Sequence, residues 1–197
     1  MGQAGVAEDQ KGAARRKATI VFWDESGISV IPVVRSTWAP KGRTPVLAHP
    51  FSWKRASMAA ALCVRPRGGG AQLAFHLRAG SYDTESLIEA LTELRAFLAG
   101  EKATLIWDGL PAHRSRRMHA WLAQQRSWLV VERLPAYAPD LNPVKKVWAS
   151  LKGVELANLT SEYLGDITAA AHAGIDRIRR TPRLLYSFLH ATGLRAW

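Results

Sequence analysis

Two aspartates stand in matching surroundings. Phe22-Trp23-Asp24 and Ile106-Trp107-Asp108 each close a short apolar run with Trp-Asp. Short apolar runs read as buried strands, so each carboxylate sits at a strand end. Two strand-end carboxylates brought side by side repel unless a cation lies between them. Oxygen-only ligands suit a hard divalent ion such as magnesium, which keeps its waters and binds phosphate groups. Two such ions can clamp the attacking and leaving oxygens of a phosphodiester. The competing reading is that each aspartate only starts a turn, as Asp24-Glu25-Ser26-Gly27 would. In a strand, Glu25 points away from the Asp24 face and reads as structural.

The elements that must hold these residues follow along the chain. Strands are expected at 18–23, at 28–34 pairing back as a hairpin, at 57–64, at 71–77, at 103–107 and at 128–131. Asp83 is the expected N-cap of a helix carrying Leu87, Leu91, Leu94 and Leu98, with Gly100 at its C-terminal end. A short helix is expected over 115–125. Asn142-Pro143 opens another, with Val144, Val147, Trp148 and Leu151 as its apolar stripe. Two more helices are expected at 160–179 and 182–191. Hairpins followed by crossovers imply a mixed sheet with helices on its faces. The expected fold is therefore α/β: a ribonuclease-H-like mixed five-stranded sheet flanked by helices, with extra C-terminal helices. Residues 1–17 read as a flexible tail and 18–197 as one domain.

Composition narrows the partners. The 197 residues carry 27 Lys and Arg against 16 Asp and Glu, a net charge of +11. Acids are absent from 26–82, which holds Lys41, Arg43, Lys54 and Arg55, and from 109–131, which holds Arg114, Arg116 and Arg117. Such segregation suggests a basic face for a polyanion, most often nucleic acid. These seven residues are the candidate DNA contacts, with a solvated hairpin tip the alternative for Lys41 and Arg43. The single cysteine, Cys63, excludes an internal disulfide and a Cys-based metal site. No run approaches a membrane span, and the N-terminus lacks a signal-peptide core, so the expected location is cytoplasmic.

Longer motifs then add a resemblance. LPAYAPDLNPVKKVW at 134–148 resembles the third signature of mariner-like insertion-sequence transposases of the DDE endonuclease superfamily. FWDESG at 22–27 and IWDGLPAH at 106–113 resemble the first and second, and WAPKG at 38–42 a hairpin insert. The similarity runs from about residue 18 to 152. It implies magnesium-dependent cleavage and transfer of double-stranded DNA at transposon ends, with manganese able to substitute, and association with the nucleoid. Asp24 and Asp108 take the places of the first two metal-binding acids. His113 matches a family position that orients a ligand or contacts DNA; a structural hydrogen bond is an equal alternative. The third acid, normally glutamate, corresponds to Lys145.

Lysine at the third position of a helix also opposes the helix dipole, at about 0.3–1 kcal/mol. Its ammonium can pair with Asp24 or Asp108 and stand where a metal would. The implied outcome is DNA binding with little or no cleavage, or a non-catalytic remnant that partners or inhibits an intact enzyme. A helix-turn-helix region of the kind such enzymes use is not expected before residue 18. It would have to come from an oligomer or a partner chain.

Overall fold

The computed structural model describes residues 17–49, 52–66, 68–135 and 139–193. Most of the expected N-terminal tail, 1–16, and residues 136–138 of the third signature lie outside them. Strand β1 (Thr19–Ser29) forms the centre of a five-stranded sheet. It pairs antiparallel with β2 (Arg55–Val64), which pairs antiparallel with β3 (Ala71–Ala79). On its other side β1 runs parallel to β4 (Ala103–Trp107), and β4 parallel to β5 (Leu129–Arg133). The order is β3-β2-β1-β4-β5, the expected mixed sheet.

Strict alternation along β1 and β2 divides the core between two faces. Ile20, Phe22, Met58, Ala60 and Leu62 face one helical layer. That layer is α3 (Val144–Val154), α4 (Leu164–Arg179) and α5 (Pro182–His190), which bury Val147, Leu151, Ile175 and Leu189 there. Val21, Trp23, Ala59, Ala61 and Cys63 face the other, formed by α1 (Thr84–Phe97) and α2 (Arg116–Gln124). The helix starts follow their caps. Asp83 accepts from the Ser86 amide, while Ser86 Oγ accepts from the Asp83 amide, a reciprocal capping box. Ser115 Oγ accepts from the Met118 amide at the start of α2.

Three expectations need correction. Residues 24–27 are not a turn. β1 continues through them to Ser29, so Asp24 lies within the strand, opposite Ala60. The separate strand at 28–34 does not exist either. Val30 is buried, but beyond it the chain leaves the sheet, and the described residues 34–49 and 52–54 form no strand or helix before β2. The cause is β2, whose Ser-Met-Ala-Ala-Ala run presents a flat partner along the whole of β1. A local Asp-Glu-Ser-Gly signal yields to that pairing. Third, the helix expected from residue 160 begins at Leu164, after a turn in which Ser161 Oγ accepts from the Tyr163 amide.

Candidate active site

Asp24 follows Ile20 and Phe22 onto the face covered by α3, and is buried there at 4% exposure. Helix α3 arrives with its first turn over the strand. Asn142 Oδ1 accepts from the Val144 amide, and its Nδ2 donates to the Trp23 carbonyl at 2.9 Å and to Asp24 Oδ1 at 3.4 Å. Asn142, just ahead of the Pro143 cap, thus braces the first turn of the helix and ties it to the strand. Trp148 Nε1, one turn further on, donates to Asp24 Oδ2 at 2.9 Å. The Lys145 ammonium lies between them, 3.1 Å from Oδ1 and 3.3 Å from Oδ2. Burial pushes the Asp24 carboxyl above its usual range, against the pull of Lys145 and Trp148.

Asp108 leaves the end of β4 and is partly exposed. Its Oδ1 accepts from the Leu110 amide at 3.2 Å and faces His113 Nδ1 at 3.1 Å. His113 sits on a short turn, Pro111–Arg114, and its ring stacks on Trp107 with centroids 4.0 Å apart and planes 5° apart. Its Nε2 meets Glu25 Oε1 at 3.0 Å, and Trp23 Nε1 donates to that same oxygen at 2.8 Å. Burial alone would lower the His113 pKa. The carboxylates of Asp108 and Glu25 outweigh it and push the ring up to about 9. Hydrogen bonding from His113 holds Asp108 below the usual range, with burial opposing and Lys145 adding to the lowering.

The sequence pointed to Asp24, Asp108, Lys145 and His113, and the structure joins them in two linked pairs: Lys145 with Asp24, and His113 with Asp108. Glu25, read as structural, does lie off the Asp24 face, yet it belongs to the second pair. One ligand atom each from Glu25, Asp108 and His113 lies within 4.8 Å of the other two. Asn142 and Trp148 were read only as cap and core, but both touch Asp24. A Trp with a buried indole N–H needs an acceptor, and that requirement was the available signal. The candidate DNA residues Lys41, Arg43, Lys54, Arg55, Arg114, Arg116 and Arg117 are exposed, although Arg117 spends its Nε on Glu85 at 3.0 Å.

These donors have the right chemistry for a hard divalent ion, since Asp24, Glu25 and Asp108 all offer carboxylate oxygens. The obstacle is specific. Both oxygens of Asp24 already accept from N–H donors, one of them a cation, so an ion at Asp24 must first displace the Lys145 ammonium.

Comparison with known proteins adds a family and a fold. A family model described as DDE superfamily endonuclease matches residues 19–162. No curated protein matches the sequence. Among solved structures, the mariner Mos1 paired end complex with Mg is similar at a TM-score of 0.64 and 18% identity, covering 94% of this chain and 58% of that one. The Mos1 transposase catalytic domain with Raltegravir and Mg is similar at a TM-score of 0.51 and 16% identity, covering 96% and 92%. A simian T-cell lymphotropic virus intasome, in complex with the PP2A regulatory subunit B56 gamma, is similar at 0.55 and 12% identity, covering 82% and 48%. The likenesses show a ribonuclease-H-like fold. This chain spans about three fifths of the first Mos1 chains it resembles.

Proposed function

Because the chain belongs to the DDE superfamily of endonucleases, we propose that it is a transposase catalytic domain in which the site for DNA strand cleavage and transfer is held shut by Lys145. The carrying observation is the Lys145 ammonium on both oxygens of the buried Asp24. The Mos1 complexes with Mg and with Mn support magnesium, with manganese as substitute, as the metal of the reaction. Asp24 and Asp108 would hold it, and it would activate the attacking oxygen and stabilise the leaving one. Asn142 and Trp148 orient Asp24 in this reading. His113, stacked on Trp107, holds Asp108. The exposed arginines and lysines carry the DNA backbone, because contacts to phosphate supply affinity without regard to sequence.

In this chain the third acid is absent and a cation stands in its place. Lys145 neutralises Asp24 and repels a second cation, so the domain binds DNA and cleaves it poorly or not at all. An oligomer, or a partner carrying a helix-turn-helix region, would supply recognition of the transposon ends. The same observation favours a second role, in which the chain occupies DNA as a non-catalytic partner or inhibitor of an intact transposase.

The test compares magnesium-dependent nicking by the wild type and by Lys145→Glu, on DNA carrying the ends of the element that encodes the chain. Nicking confined to Lys145→Glu is the expected result. Equal, robust nicking by both proteins would overturn the reading, as would failure of the wild type to bind DNA.

A further inference from the structure

Beyond Asp24, the same face of β1 continues through Ser26 to Ile28, and there a cleft of about 470 Å³ opens between the end of β1, the start of β2 and the α3–α4 layer. Its wall is aliphatic, with Ile28, Leu156 and Ile167. The Trp53 side chain lines its rim and is 70% exposed. Its polar groups include two cations, the exposed Arg55 and the half-buried Lys152. The Lys152 ammonium donates to Ser26 Oγ at 2.7 Å. The Asp24 carboxylate acts on it electrostatically, without an ion-pair contact among the described residues.

A half-buried ammonium that bonds a hydroxyl, with Asp24 acting on it only from beyond ion-pair contact, has lost water without gaining a close counter-ion, and an arriving anion would supply one. Burial lowers the Lys152 pKa, and the Asp24 carboxylate opposes that only in part. An aliphatic wall beside an exposed indole suits a flat ring. Cation and apolar wall in one concave site of this size describe a small ligand with an anionic end and a planar body. Ser26 is two residues from Asp24 along β1, about 7 Å, so a strand lying over Asp24 reaches the cleft with its neighbouring nucleotide.

Resting on the DNA reading above, we infer that this cleft holds one unstacked nucleotide of the bound DNA strand, its phosphate on Lys152 and Arg55 and its base between Trp53 and the aliphatic wall. The subsite needs no divalent ion, because its cations are side chains.

The test uses the full chain in EDTA with a series of duplexes from the ends of its own element, each carrying 2-aminopurine at one position. The wild type should raise the fluorescence several-fold at one position. Trp53→Ala and Lys152→Gln should abolish that rise at saturating protein. Trp53→Ala should also weaken binding about tenfold, the scale of one lost base–aromatic stack. Trp53→Phe and Lys152→Arg should keep the rise, which separates loss of the contact from loss of the fold. Binding by the wild type without a rise at any position overturns this inference and leaves the DNA reading standing. So does a rise that survives in Trp53→Ala and Lys152→Gln. Absence of DNA binding by the wild type overturns both.

Discussion

A buried carboxylate has few ways to remain charged, and Asp24 uses three N–H donors, one of them an ammonium. Replacing Lys145 by glutamate sets two carboxylates against each other, which a divalent ion would relieve. Magnesium should therefore raise the melting temperature of Lys145→Glu and leave the wild type unchanged, by the linkage of binding to stability. Thermal unfolding with magnesium and with EDTA measures this; equal shifts in both proteins would contradict the proposed obstruction. His113 makes a separate prediction. Its pKa in the folded protein, about 9, lies above the ordinary value of 6.5, so the native state holds the proton more tightly than the unfolded chain. That stabilisation is complete below about pH 6.5 and is lost as pH rises through about 9, with a ceiling of about 3 kcal/mol. Urea unfolding in EDTA across that range should show the fall in the wild type and a flatter profile in His113→Gln.

At the level of elements, the site depends on how closely α3 can lie on β1, and α4 holds α3 from behind. Gly174 is the contact point. A methyl group there would collide with Leu151 Cδ1 and stand 2.7 Å from Glu155 Oε2. Leu151 is fully buried, and Glu155 is held by Arg177. Gly174→Ala should cost about 1–3 kcal/mol, the usual penalty of overpacking. A shifted urea midpoint checks this, and an unchanged midpoint would mean that the two helices can part freely. Much of this architecture is legible in the sequence. Apolar runs announced β1, β2, β3, β4 and β5, and Asp83, Ser115 and Asn142 marked helix starts. The length of β1 was not legible, because pairing with a distant alanine-rich strand overrode a local turn signal. The partnership of Glu25 with His113 was hidden for a related reason. Alternation gives the face of a strand residue, but not what the opposite layer brings to meet it.

Across the whole molecule, charge governs association. A net charge of +11 with exposed arginines and lysines implies binding that weakens steeply with salt. Anisotropy of a labelled duplex between low and physiological salt should give a negative slope of about 0.9 per phosphate contact. Arg114→Gln and Arg116→Gln should each lower that slope by about one while leaving the fold intact. No change in slope would remove the Pro111–Arg114 turn and the start of α2 from the interface. Helix α3 remains the pivot between this surface and the chemistry. Val144, Val147, Trp148 and Leu151 carry its packing, and Lys145 carries none of it. In the genetic code, lysine and glutamate codons are separated by a single change at the first base. A gene encoding this chain is therefore one point mutation from presenting a carboxylate beside Asp24, on a helix whose apolar contacts would not notice the exchange. The closure proposed at Asp24 thus hangs on one letter of the gene, with the scaffold on either side of it unchanged.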